Sequence, residues 1–184
     1  IETIDENGKT IKSLMRFPIN HNQIVKFMRW GSCICHPTWL LKREVCFELQ
    51  GYRKTPHCED YDFILRAIAH GYKVGNIPKV ELSYRIRQSG VSKSHEAEQF
   101  LLRDYLAKNM KQIDSLTEDA ITKFLNSEKF NWQLEQLSHY KNAKQLLKNG
   151  SGIEKLKSTV QIPINRFFWR NIVEKTTLLL REHI

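Results

Sequence analysis

Apolar positions fall at helical spacing over one short central stretch and alternate with polar ones a little further along. Tyr61, Ile64, Leu65 and Ile68 recur at i, i+3, i+4 and i+7, which is one face of a helix. Asp62, Arg66 and His70 fall on or near the opposite side, so the pattern predicts that they point to solvent. Gly71 stands where a left-handed residue would end the helix, and Glu59 and Asp60 stand at its mouth, just after Pro56. Val80, Leu82, Tyr84 and Ile86 alternate with Glu81, Ser83, Arg85 and Arg87, which predicts a strand over 80–86. Lys73 to Ile77 reads as a further strand. Thr38-Trp39-Leu40-Leu41 reads as a buried one, entered through His36-Pro37, where the proline holds His36 extended.

Two short helices precede the central one. The first runs from Asn20 to Met28, with Ile24, Phe27 and Met28 on its apolar side; the second runs from Glu44 to Leu49 and is closed by Gly51. Thr3-Ile4-Asp5 and Thr10-Ile11 flank the turn signal Glu6-Asn7-Gly8 and predict a small hairpin. From about Ser94 the pattern turns helical. One helix carries Phe100, Leu101, Tyr105 and Met110; another carries Ile121, Phe124 and Leu125 and opens at Thr117-Glu118-Asp119. A third runs from Trp132 to Leu147 and ends at Asn149-Gly150-Ser151-Gly152. Pro163 suits the first turn of a last helix, Ile164 to Arg181, in which Phe167, Phe168 and Trp169 mix with Arg166, Arg170 and Lys175. That mixture fits either an interfacial membrane helix or a cap packed on its neighbours.

Composition narrows the class. The 184 residues are 41% hydrophobic and 27% charged, those of a globular protein. No apolar run approaches the roughly 20 residues that cross a bilayer. Ile1 to Lys12 is polar and turn-like rather than a secretion signal, so the chain is expected in the cytoplasm, or peripheral on the inner face of the membrane. A net charge of +9 favours an anionic partner, such as a nucleotide-sugar or an anionic membrane surface. No nucleic-acid-binding motif accompanies it, so no nucleic acid is expected. Cys33, Cys35, Cys46 and Cys58 cluster near His36 and His57, which raises zinc. One Cys-x-Cys followed by two isolated cysteines lacks the paired knuckles of a structural site, so reduced and mostly buried thiols are the expectation.

Glu59 and Asp60 admit two readings. Carboxylates in a first helical turn meet free N–H groups and the positive end of the helix dipole; alternatively, one projects into a cleft as a general base. The neighbouring segments bear on the choice. Cys35-His36-Pro37-Thr38, Gly51-Tyr52, Glu59-Asp60-Tyr61-Asp62-Phe63, Leu65-Arg66, Gly71-Tyr72-Lys73, Asn76-Ile77-Pro78, Tyr84-Arg85, Ser89 and Ser92 follow one another in order and spacing. Together they resemble the second half of a family-two glycosyltransferase, the inverting kind with the GT-A fold.

The resemblance implies an α/β fold: residues 1–95 as the acceptor-side half of a GT-A domain, with a Rossmann-like mixed sheet, and 96–184 as a helical region. It implies transfer of a sugar from a nucleotide-sugar to a glycan or lipid-linked acceptor, in cell-surface polysaccharide synthesis. By motif position Asp60 takes the acceptor hydroxyl's proton, and Glu59 helps set the helix mouth. His36 faces the acceptor cleft or makes a structural hydrogen bond. Read from the residues, Arg85 and Arg87 on the strand's polar face suit contact with a diphosphate or an anionic sugar, with Tyr84 beside them as a substrate-binding residue, or else form a solvated sheet edge paired with Glu81. A divalent cation, Mn or Mg, belongs to the family. Its Asp-x-Asp strand does not appear in the chain, and Arg87 stands where a histidine often completes the metal site. Asp60-Tyr61-Asp62 is no substitute, because residues two apart on a helix point about 200° apart around the axis. No metal ligand is therefore assigned, and the chain alone is expected to be inactive. The rival expectation is a non-catalytic interaction or membrane-docking module derived from such an enzyme.

Overall fold

The computed structural model describes residues 1–12, 17–87, 94–154 and 157. The described residues are mixed α/β and mostly helical, with one small sheet, and the chain divides into two compact units, Ile1–Lys123 and Phe124–Ile184. The predicted hairpin forms from β1 (Glu2–Ile4) and β2 (Thr10–Lys12), which pair antiparallel. Its turn is held by Asp5, whose Oδ1 accepts from the Asn7 and Lys9 amides at 2.9 and 2.8 Å. On the other side of β1 lies β3 (Ser83–Arg85), parallel to it with Thr3 opposite Tyr84. The strand order is β2-β1-β3.

Helix α1 (His21–Met28) buries Ile24, Phe27 and Met28, as its pattern predicts. Helix α2 (Arg43–Glu48) is followed by Gly51 at φ +68°. Helix α3 (Glu59–Ala69) is the central element, and Gly71 follows it at φ +83°. The Tyr61 hydroxyl donates to the Met28 carbonyl, tying α3 to the end of α1. Helix α4 (Glu96–Lys108) and a 3-10 turn over Met110–Ser115 pack against α3. Helix α5 (Glu118–Leu125) is capped by Thr117, whose Oγ1 accepts from the Ala120 amide at 3.1 Å. In the second unit α6 runs Glu128–Asn149 and buries Phe130, Gln133, Leu137 and Tyr140 at helical spacing. No helix among the described residues is long and apolar enough to cross a membrane.

Four sequence expectations are corrected. Thr38 to Leu41 is not a buried strand: His36–Thr38 forms a 3-10 turn, and Leu40 is 100% exposed. Lys73 to Ile77 forms no strand, because Asn76 instead hooks its side-chain amide to the Pro18 and Cys33 carbonyls at 2.7 and 2.9 Å. The strand expected over 80–86 shortens to Ser83–Arg85, where β1 supplies a partner, and Glu81 pairs with Lys79 at 2.9 Å rather than with an arginine. Asp62 and Arg66 do not face solvent. Residues 61–67 of α3 are all buried, because the chain after α2 and the Met110–Ser115 turn cover the helix's polar side. The expected helix from Ile164 to Arg181, like Ser89 and Ser92, lies outside the described residues.

Candidate active site

The N-terminal turn of α3 opens onto a cleft of about 300 Å³. Three segments far apart in sequence meet there. Asp60 comes from the first turn of α3, Cys35, His36 and Pro37 from the turn before α2, and Tyr84 and Ile86 from β3 and the residue just beyond it. Thr3, paired with Tyr84 across the sheet, completes the strand side. The parallel pairing decides this placement. It turns Tyr84 and Ile86 inward and leaves Arg85 and Arg87 on the exposed face, by the period of two along a strand.

Asp60 is half-buried, and its Oδ1 accepts from the Tyr61 amide at 2.7 Å. No side chain caps α3 in the usual way: Cys58 occupies the cap position, but its thiol donates to the Gln99 carbonyl at 3.5 Å and accepts from none of the helix's free amides. Three carboxylates, Glu59, Asp60 and Asp62, therefore supply the negative charge of its first turn. Just before them His57 takes a left-handed backbone, φ +61°, and its ring stacks on that of His95 at 3.8 Å between centroids. A non-glycine residue in that region carries strain that its surroundings must hold.

His36 is fixed from behind. Its Nε2 shares a hydrogen bond with the Tyr52 hydroxyl at 2.8 Å, and its ring lies 4.5 Å from that of Trp39. Tyr52 and Trp39 both rest on Phe63 of α3, at 5.4 and 5.8 Å between rings. Burial first, then the charges of Cys46, Asp60 and Glu59, pushes the Tyr52 phenol up, so it stays a neutral hydroxyl. Burial is also the main reason that the Cys35 thiol is pushed up, with Asp60 adding to it. A thiol held protonated is a poor nucleophile. Among the described residues lining the cleft, Asp60 supplies a carboxylate and His36 an imidazole.

Asp62, two residues beyond Asp60, belongs to a different environment. It is 0% exposed and accepts from Arg53 Nε at 3.0 Å, from Arg53 Nη2, and from Arg66 Nε at 2.9 Å. Arg66 also donates to the Leu49 and Gly51 carbonyls, both at 2.6 Å, and Arg53 to the Ile113 and Leu116 carbonyls. The network fastens the 49–53 segment to α3 and to the 3-10 turn, and so fixes Tyr52 against His36. Sequence reasoning missed both Tyr52's role and this network. The i,i+4 spacing of Asp62 and Arg66 was the available signal.

The predicted site residues thus separate. Asp60, His36 and Tyr84 line one cleft, whereas Glu59 stands beside it without lining it. Arg85 donates to the Asp5 and Glu6 carbonyls at 3.0 and 2.9 Å, bracing the hairpin turn, and Arg87 is exposed on the same side. Among the described residues no three His, Cys, Asp or Glu side chains converge as metal ligands would. Mn and Mg prefer several oxygen donors, and among the described residues Asp60 is the one carboxylate lining the cleft. These residues do not fit such an ion. The four cysteines form no disulfide. Cys33 and Cys58 are buried, but Cys35 is half-buried and Cys46 exposed, so the thiols are less enclosed than expected.

The chain is similar to glycosyltransferases. It is 35% identical over 114 residues to the O-antigen biosynthesis glycosyltransferase WbnJ of Escherichia coli, a match covering 59% of this chain and 44% of that protein. It is 29% identical over 89 residues to the amylovoran biosynthesis glycosyltransferase AmsE of Erwinia amylovora, covering 48% of this chain and 33% of that protein. An uncharacterized glycosyltransferase of Methanocaldococcus jannaschii is 32% identical over 83 residues, 45% of this chain and 29% of its own length. The chain spans less than half the length of each of these relatives. No protein-family model matches it, and no solved structure does.

Proposed function

We propose that the chain carries the acceptor-side half of an inverting family-two glycosyltransferase with the GT-A fold, and that Asp60 is its general base. One observation carries the reading: Asp60, His36 and Tyr84 come from separate segments and line one cleft, while Asp62 is sealed in an ion network. In the reaction an acceptor hydroxyl oxygen attacks the anomeric carbon of a nucleotide-sugar from the face opposite the diphosphate. The new carbon–oxygen bond forms as the bond to the diphosphate breaks. The hydroxyl proton passes to the Asp60 carboxylate, and the nucleoside diphosphate leaves. His36, held by Tyr52, orients the acceptor, and Tyr84 forms the opposite wall. The names of two relatives, which refer to O-antigen and amylovoran biosynthesis, support polysaccharide synthesis as the setting; the acceptor in this reading is a glycan or a lipid-linked sugar.

The test is Asp60→Asn in protein expressed from the intact reading frame. Release of nucleoside diphosphate is followed across a panel of nucleotide-sugars with lipid-linked and soluble glycan acceptors. Loss of general-base help lowers turnover by about 10²-fold or more and leaves the donor KM nearly unchanged. Turnover close to wild type would reduce Asp60 to a helix-terminal charge and remove the assignment. A wild-type protein that binds glycans but transfers no sugar would favour the interaction module.

A further inference from the structure

The approach to α3 carries a pair of histidines that the cleft does not use. His57 stands just before the cap residue of α3, and His95 occupies the cap position of α4. Their rings stack at 3.8 Å between centroids, with planes 14° apart. Both residues are half-buried, so water and protons reach them. His57 also takes φ +61°, a left-handed backbone in which a non-glycine residue is strained and persists only where its surroundings hold it. The stack is placed to do that holding, since one ring belongs to the strained residue and the other to the head of a different helix.

The body of α3 is held by other means. The Tyr61 hydroxyl reaches the Met28 carbonyl, and Arg53 and Arg66 saturate Asp62. Before the helix, the Cys58 amide donates to the Thr55 carbonyl at 2.9 Å, and the Cys58 thiol to the Gln99 carbonyl of α4 at 3.5 Å. The charged groups around the histidine pair are Glu59 and Asp60 at the head of α3, and Glu96, Glu98 and Arg103 on α4. Burial above all holds the Cys58 thiol up, and so uncharged. Among the described residues neither histidine ring takes part in an ion pair, so no carboxylate directly offsets a charge placed on it.

We propose that the His57–His95 stack is an acid-released brace on the segment that leads into Asp60. Imidazole is the side chain whose ordinary charge change falls between about pH 5 and 8. One proton on the pair leaves a cation beside a neutral ring, with no like charge to repel it. A second proton puts two like charges in contact, and that repulsion is far stronger in a half-buried site than in water. The stack then parts, and the left-handed backbone at His57 relaxes because its ring was the part that held it. In acid, residues 55–58 loosen while the body of α3 keeps its place. The brace does not rest on the proposed transfer reaction; its consequence for catalysis, a displaced Asp60 and slower turnover in acid, does.

The test is amide hydrogen exchange of the full chain, followed residue by residue by NMR at about pH 7.5 and about pH 5 and corrected for the intrinsic rate at each pH. In wild type the Cys58 amide loses protection by about tenfold or more in acid, while Ile64 to Ile68 stay protected. His95→Phe keeps a ring for His57 to stack on and cannot take up a proton, so protection of the Cys58 amide is the same at both pH values. The carboxylates are common to both proteins, so this variant isolates the imidazoles. His57→Asn suits the left-handed backbone but brings no ring, so the Cys58 amide exchanges fast at both pH values. The proposal is overturned if wild type is equally protected at the two pH values, or if either variant responds to acid as wild type does. The readout needs no turnover, so failure of the brace and failure of the assignment of Asp60 are told apart.

Discussion

Removing the charge of Asp62 tests whether the buried ion network holds the site together. Asp62→Asn preserves side-chain size, so no cavity opens, but two guanidinium groups lose their shared counter-charge. Asp62 is fully buried, and the Arg66 and Arg53 side chains are only 6% and 16% exposed. Removing one partner of a fully buried ion pair costs about 3–5 kcal/mol. Arg66 keeps its bonds to the Leu49 and Gly51 carbonyls, and Arg53 retains some contact with water. Both soften the loss, which places the expected value near the lower end, about 3 kcal/mol.

Urea unfolding followed by circular dichroism measures it. With a slope of about 1.5 kcal/mol per molar urea, the midpoint falls by roughly 2 M. Adding Arg53→Met removes one of the stranded cations, so the double variant is less destabilised than the sum of the singles by about 1 kcal/mol or more. A loss under about 1 kcal/mol for Asp62→Asn, or strict additivity, would refute the view that this carboxylate neutralises the pair.

Two further expectations follow from the site's surroundings. Tyr52→Phe removes the hydrogen bond that fixes His36 and lowers turnover about fivefold, worth about 1 kcal/mol; turnover and its pH profile both report it, and an unchanged profile with full turnover would release His36 from Tyr52's control. Cys58 is pushed up to about 12, chiefly by burial, from an ordinary thiol value of 9.0. Its folded pKa is raised, so the stabilisation is complete below the unfolded value and is lost as pH climbs from about 9 towards about 12. Cys58→Ala should flatten that part of the alkaline stability curve, and in iodoacetamide labelling Cys46 reacts in the native state while Cys58 waits for denaturant.

The hairpin, the helices at 21–28, 43–48 and 59–69, and the left-handed closure at Gly71 were legible because each rests on neighbours within a few residues. The failures share the opposite property. Leu40 and Leu41 read as buried strand since apolar runs usually are, but burial depends on which distant element arrives, and none among the described residues covers them. Lys73 to Ile77 lost its strand to side-chain hooks from Asn76 to carbonyls 43 and 58 positions away. Asp62 and Arg66 were assigned to solvent by a helical wheel that treats polar as exposed. The wheel places a side chain correctly around its axis but says nothing of what covers that side. Here Arg53 and the 3-10 turn cover it, and the ion pair is what allows them to do so.

That covering sharpens the separation of Asp60 from Asp62 beyond what helix geometry alone offers. Angular spacing says only that two carboxylates two residues apart cannot share one ligand. The structure gives each its own environment: Asp62 is saturated by two arginines, whereas Asp60 is half-buried at a cleft wall opposite Tyr84. A carboxylate whose oxygens are already engaged by fixed, buried cations cannot also reach an acceptor hydroxyl, while one that lines a cleft can. The two aspartates therefore fail differently when neutralised. Asp62→Asn loses stability first and activity only through the loosened Tyr52 segment, so turnover per folded molecule falls modestly. Asp60→Asn keeps the fold and loses turnover. Unfolding curves and single-turnover rates measured on the same two proteins decide it, and a variant pair with the two effects exchanged would invert the assignment of base and strut.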